Sequence, residues 1–206
     1  MQHFGGINRH TLGAIMPMSP ARLSQLLLKT QFVIWVIYGV SAGMGHWPVG
    51  VAFGLLASVC LLALQASRGI KVKLMDWTLL GYFILAAIAT FVVRSTTFPK
   101  YSSVIIWVLY AGVSWGSILF GAPFTVQYAR ESAPPEHWHS PGFIRGNQVM
   151  SVVWSIAFTV NIVLVTVALN PRDHPLLSGV GAPILSMVAA SIFTVRYTKI
   201  IRARAQ

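Results

Sequence analysis

Residues 49–66 read VGVAFGLLASVCLLALQA, eighteen positions without a formal charge, and the first cation after them is Arg68. A helix needs about 20 residues to cross the hydrocarbon core of a bilayer, with roughly 17 tolerated. A barrel strand crosses in about 10 residues and alternates apolar with polar positions. This run is longer and continuously apolar. Because lipid offers no hydrogen-bonding partner to the backbone, only helices and closed barrels span it, and the stretch is expected to be a membrane-spanning helix.

The same pattern recurs on either side, at Leu26–Gly45, Leu74–Val93, Val104–Phe120, Val149–Leu169 and Leu177–Val195. The whole chain of 206 residues is 55% apolar and 9% charged, whereas a soluble domain carries about 25% charged residues to face water. The expected fold class is therefore an all-α membrane protein with six transmembrane helices. A basic arm (1–25) would precede the membrane domain (26–197), which includes a cytoplasmic loop at 121–148, and a basic tail (198–206) would follow it. Ser19-Pro20 suits a helix start. Gly45-His46-Trp47-Pro48, Phe98-Pro99 and Asn170-Pro171 are expected to separate spans, and Pro183 either to kink the sixth helix or, the favoured reading, to mark a later start for it. Residues Met1–Gln25 lack the long apolar core of a secretory signal. Val40-Ser41-Ala42 loosely resembles a cleavage site, and Met16 and Met18 are alternative starts.

The net charge of +11 invites comparison with nucleic-acid binders, but the cations lie between the apolar runs rather than on a soluble face, so no nucleic-acid partner is expected. Twelve of the fifteen fall in alternate segments: Arg9, Arg22 and Lys29; Arg68, Lys71 and Lys73; Arg130 and Arg145; Arg196, Lys199, Arg202 and Arg204. Only Arg94, Lys100 and Arg172 fall on the other side. By the positive-inside rule both termini are expected in the cytoplasm. Gly39-x-x-x-Gly43, Gly50-x-x-x-Gly54 and Gly112-x-x-x-Gly116 each place two glycines on one helix face, where backbones can approach closely. An internal echo, Phe124-Thr125-Val126-Gln127-Tyr128-Ala129-Arg130 against Phe193-Thr194-Val195-Arg196-Tyr197-Thr198-Lys199, suggests three tandem helical hairpins. Shared anchoring at the membrane interface accounts for it equally well.

Little in the chain points to chemistry. The candidate functional loop carries Gln127, Tyr128, Arg130, Glu131, Glu136, His137, Trp138, His139 and Arg145. His137 and His139 would share a face only on an extended segment, which the flanking prolines favour, but no further ligand is evident and no metal is expected. Arg130 and Arg145 suit anionic lipid or a nearby carboxylate. All six histidines lie outside the apolar runs, so a bis-histidine intramembrane haem is not expected, nor any other cofactor. The lone Cys60 is expected to be a small buried hydrophobe. Lys29 and Asp76 lie towards cytoplasmic helix ends, within expected reach of water, and Asn161 is the most polar residue deep in a span, suited to helix-to-helix hydrogen bonding.

The stretch Gly121-Ala122-Pro123-Phe124-Thr125-Val126-Gln127-Tyr128-Ala129-Arg130, with Phe143-Ile144-Arg145-Gly146-Asn147-Gln148 leading to Trp154, resembles the bacterial intracellular septation protein A family of small inner-membrane proteins. The resemblance lies in the letters around helices four and five and in the layout from Val49 to Arg204. The Pro-Pro-Glu-His-Trp-His insert and the basic arm have no place in that pattern. It implies the bacterial inner (plasma) membrane, a role in envelope maintenance through contact with other membrane proteins or with a second copy, and no catalytic residues. The expected function is a non-catalytic scaffold or accessory subunit. The rivals are a small transporter or channel for a neutral or lipid-like solute, and a membrane enzyme built on the 121–148 loop.

Overall fold

The computed structural model describes residues 20–169 and 182–204. Among these the chain is entirely helical: α1 (Pro20–Gly43), α2 (Trp47–Ser67), α3 (Leu74–Ala87, continued by a π-turn at Ile88–Val92), α4 (Phe98–Leu119), the short α5 (Thr125–Ala129), a 3₁₀ turn (Pro135–His137), α6 (Pro141–Val167) and α7 (Ala182–Arg204). Five helices are long and apolar enough to cross a membrane: Trp47–Ser67, Leu74–Val92, Phe98–Leu119, Pro141–Val167 and Pro183–Ile201. The chain is thus a helical integral membrane protein by the length and composition of its helices. The Asn170-Pro171 break, Arg172 and the side chains of Arg9, Arg22, Lys29, Arg202 and Arg204 lie outside the described residues.

Three helices stop in the same way. Gly45, Gly69 and Gly121 follow α1, α2 and α4 with φ of 79°, 66° and 71°. The next residue then donates its N–H back to the helix: His46 to the Ser41 carbonyl, Ile70 to Gln65 and Ala122 to Ser117, at 2.8–2.9 Å. This is the left-handed cap for which glycine has no Cβ penalty. Helix starts are equally local, with Pro48, Pro99 and Pro141 in first turns. Two expectations change here. Phe98-Pro99 does not separate spans but opens α4, where the Phe98 N–H is satisfied by Ser95 Oγ at 3.1 Å. The 121–148 connection is not a loop throughout: Ser140 Oγ accepts the Phe143 N–H and starts α6 eight residues before the apolar run begins. Hydropathy marks where lipid begins, whereas the cap marks where the helix begins.

The bundle runs up and down, with consecutive long helices packed on one another. Trp47 at the start of α2 donates its indole N–H to Thr90 at the end of α3, and Met150 near the start of α6 meets Thr198 near the end of α7. Pairing across the expected hairpin boundaries is as close as pairing within them. The α4–α6 contact is the most extensive of all, and α3–α4 the least extensive among the consecutive pairs. The helices therefore form one continuous series rather than three separable hairpins. The echoed heptads also differ in setting. Thr125–Ala129 forms the separate α5, and the rings of Phe124 and Tyr128 meet edge-on at 6.4 Å, whereas Phe193 and Tyr197 stack at 5.2 Å within α7.

The core is aromatic where α1, α2, α3 and α4 converge. Leu79, Tyr82 and Phe83 have no exposed surface. Trp35 stacks on Phe83 at 5.5 Å, Tyr38 meets Tyr82 edge-on, and the two phenol oxygens are hydrogen-bonded at 2.5 Å. Of the paired glycines, Gly54 lies against the Phe83 ring and Gly50 against Ser41 and Tyr38. A Cβ at Gly39, Gly43, Gly112 or Gly116 would meet nothing within 4 Å among the described residues. Cys60, expected to be a buried hydrophobe, is exposed on α2.

Candidate functional site

The densest polar cluster forms where the α2–α3 turn meets α5. Lys73, 5% exposed, directs its Nζ to Glu131 Oε1 at 2.8 Å and over the Tyr128 ring at 5.1 Å. Asp76, in the first turn of α3, accepts the Lys73 backbone N–H at 3.0 Å and a hydrogen bond from the Gln65 side chain at the end of α2. Gln127 reaches across from α5, and its Oε1 accepts the Leu74 N–H at 2.7 Å. The first turn of a helix has unsatisfied N–H groups. Here two are taken by side chains, one local and one from a segment 53 residues away. Burial, and then the nearby Asp76, Tyr110 and Glu131, hold the Tyr128 phenol well above its ordinary value, so it stays neutral beside the ion pair.

The sequence singled out Gln127, Tyr128 and Glu131, and the structure brings them together with Gln65, Lys73 and Asp76. Asp76 does not reach water as expected from its place near a helix end. It is 2% exposed, with hydrogen bonds to the Gln65 side chain and the Lys73 backbone in place of water. Lys73 counted only as one cation among twelve, yet its ammonium lies inside the protein. One residue whose ammonium holds Glu131 and whose backbone N–H holds Asp76 can clamp two segments. Buried ions are costly unless paired or hydrogen-bonded; here the lysine is paired and the aspartate hydrogen-bonded.

Beyond Glu131 the chain turns tightly. Arg130 Cζ sits over the Trp138 ring at 5.2 Å, and the Trp138 indole N–H is held by the Ala133 carbonyl at 2.9 Å. Glu136, His137, His139 and Arg145 are exposed. His137 lies in a 3₁₀ turn, not an extended segment, because Pro134 and Pro135 turn the chain and Ser140 caps α6 directly after it. Among the described residues no three His, Cys, Asp or Glu side chains gather around a common point.

A second polar seam joins α4, α5 and α6. Ser114 and Ser155 share a 2.6 Å hydrogen bond, Ser117 Oγ accepts the Phe124 N–H, and Thr125 bonds both the Asn147 carbonyl and Ser151 Oγ. Ser114, Ser117 and Ser151 were not singled out from the sequence. Their signal was spacing, Ser114 with Ser117 and Ser151 with Ser155, which puts each pair on one helix face. Asn161, fully buried in α6, accepts from Ser186 of α7 at 2.6 Å, while its Nδ2 has no protein partner. Indole N–H groups add further ties between helices, Trp115 to Thr159 and Trp154 to Thr194. The best-formed hollows lie elsewhere and are open apolar grooves. One, of about 460 Å³, is lined by Pro48, Val49, Ala52, Phe53, Leu56 and Phe91; another, of about 260 Å³, lies between α6 and α7.

Fold and site together define a helical integral membrane protein in which many polar side chains of the described residues tie one segment to another. No family model, curated protein or solved structure matches the chain.

Proposed function

We propose that this protein is a non-catalytic membrane scaffold or accessory subunit that works by docking helix faces against another membrane protein or a second copy of itself. The observation that carries this reading is the state of the paired glycines. A Cβ at Gly39 or Gly43 on α1, or at Gly112 or Gly116 on α4, would meet nothing within 4 Å among the described residues. Small residues at this spacing let helices approach closely in lipid, and in this reading the helix they suit is supplied by a partner. The centre of the bundle, filled by Leu79, Tyr82 and Phe83, favours this reading over a transporter or channel for a neutral or lipid-like solute.

In the proposed topology α1 completes a set of six spans and both termini face the cytoplasm of a bacterial inner membrane. The contacts support a common side for the cation-rich segments: Lys73 pairs with Glu131, and Ile201 lies against Gly146. The Trp47–Phe98 ring contact at 6.1 Å groups the α1–α2 and α3–α4 turns at the other end. The resemblance to the septation protein A family gives the scaffold its proposed setting, in envelope maintenance. Particle mass measured after gentle extraction into lipid nanodiscs tests the docking reading. The wild type is expected to carry a second polypeptide beyond its own 22.5 kDa, and Gly112→Leu/Gly116→Leu or Gly39→Leu/Gly43→Leu to lose it. A single chain in the wild type would refute it.

A further inference from the structure

We propose that Arg130, held on Trp138, is a seat for the phosphate of an anionic phospholipid. The proposal is independent of the scaffold reading and needs only that the bundle lies in a membrane. Arg130 follows α5 directly and its neighbour Glu131 is the chain's nearest carboxylate in sequence. That carboxylate is turned to Lys73 at 2.8 Å. Among the described residues no carboxylate lies within ion-pair distance of Arg130, and the guanidinium lies over an indole instead. A ring covers a guanidinium without using its N–H donors, so the fork that matches phosphate oxygens two at a time stays available.

The platform is fixed before any ligand arrives. The Trp138 indole is tied to the Ala133 carbonyl at 2.9 Å, the Ala133 N–H to the Ala129 carbonyl at 3.0 Å and the Arg130 N–H to the Val126 carbonyl at 3.0 Å. Its level in the bilayer is set by apolar neighbours. Leu119 and Phe120, which end α4 just before this segment, are 83% and 90% exposed, and Ile144 in the first turns of α6 is 40% exposed. Aliphatic surface of that kind belongs in hydrocarbon, and the polar segment between those residues then lies at the headgroups. Charge completes the argument. Arg68, Lys71, Arg130 and Arg145 are exposed at this end, and Glu136 is the exposed acidic residue that is not paired to Lys73. Cations beside a membrane surface attract anionic lipid, and the stacked fork gives that attraction one defined address.

The test uses the intact protein in detergent micelles doped with phosphatidylglycerol or phosphatidylcholine at equal mole fraction, with retained lipid counted by native mass spectrometry. Phosphatidylglycerol is expected to be kept about tenfold more tightly than phosphatidylcholine at the first site. Arg130→Gln abolishes that preference, Trp138→Leu weakens it, and Arg130→Lys, which keeps the charge but not the fork, retains only part of it. Should Arg130→Gln fail to yield folded protein, Arg130→Lys and Trp138→Leu carry the same test. Equal retention of both lipids overturns the proposal, and so does an equal loss in Arg145→Gln and Arg130→Gln, which would mean diffuse surface charge. Displacement of the lipid by millimolar inorganic phosphate, or by an acidic peptide, would reassign the seat to a soluble anion and overturn it as well.

Discussion

Adding one methyl group at Gly54 should damage this bundle, and adding the same group at Gly112 should not. A Cβ built at Gly54 falls 2.1 Å from Phe83 Cε1, 2.3 Å from Cζ and 2.6 Å from Cδ1. The first is about 1.3 Å short of the 3.4 Å at which ordinary contact begins. The ring has nowhere to retreat. Phe83 has no exposed surface and is pressed by Trp35 at 5.5 Å, Tyr38 at 5.3 Å and Tyr82 at 5.3 Å. Overpacking of this kind costs about 1–3 kcal/mol, and this site belongs at the upper end because three rings must move together. Replacing glycine by alanine within a helix returns roughly 0.5–1 kcal/mol. The net expectation for Gly54→Ala is a loss of about 2 kcal/mol, on the order of 30-fold in the folded-to-unfolded ratio. Gly112→Ala meets nothing within 4 Å and should be neutral or up to about 1 kcal/mol stabilising.

Reversible unfolding in mixed micelles, titrated with a denaturing detergent and followed by circular dichroism, measures both. Phe83→Ala alone should cost about 3 kcal/mol or more, but it opens the space that the new methyl needs. The Gly54→Ala/Phe83→Ala double variant should therefore be less damaged than the two single losses added together, by about 2 kcal/mol. Strict additivity, or a Gly54→Ala protein as stable as the wild type, would refute the claim that α2 and α3 are fixed by backbone-to-ring contact at this point.

Other outcomes follow from the polar ties. Lys73→Met removes the ammonium that Glu131 binds and should lower stability by about 2 kcal/mol, less than a fully buried pair because Glu131 is 28% exposed; Lys73→Met/Glu131→Gln should recover at least half of it in the same titration. Asn161→Leu removes the acceptor for Ser186, a tie worth about 0.6 kcal/mol in a membrane, so amide exchange in α7 should speed up roughly threefold while that in α2 stays unchanged. In a Cys60→Ser background, single cysteines at Lys71 and Ser132 should react with an impermeant maleimide from one side of sealed vesicles and a cysteine at Thr97 from the other; reaction of all three from one side would overturn the topology.

Much of the bundle was legible because hydropathy and helix punctuation are local. The expected run Leu74–Val93 and the observed Leu74–Val92 differ by one residue. The error was larger where a helix outlasts the membrane. α6 begins at Pro141 rather than Val149, because its first two turns bury Gly146 and Asn147 against neighbouring elements instead of in lipid. The site was half legible. Gln127, Tyr128 and Glu131 stood out as polar residues in a connection between spans. Gln65 and Asp76 did not, because a polar residue at a helix end usually faces water, and only the packing of three segments showed that these are sealed. The paired serines of α4 and α6 were hidden for a related reason: serine is common in spans, and the partner on the facing helix is 41 positions away in the chain.

The two ends of the bundle are held by different chemistry, and the helix directions explain why. At the end holding the α1–α2 and α3–α4 turns, the ties between segments are neutral: Trp47 to Thr90 and the Trp47–Phe98 ring contact. At the other they are ionic: Lys73 with Glu131, and Asp76 on the Lys73 backbone. Asp76 occupies the first turn of α3, where the partial positive charge of a helix N-terminus stabilises a carboxylate, and its backbone bond offsets some of the solvation it gives up. Such an arrangement can hold a lysine inside without leaving a bare charge. It also divides the cations of that end by function. The charge of Lys73 is matched within the protein by Glu131, whereas Arg68 and Lys71, in the same turn, are exposed. The lysine matched in this way is also the one that fixes the segment after α5 to the bundle.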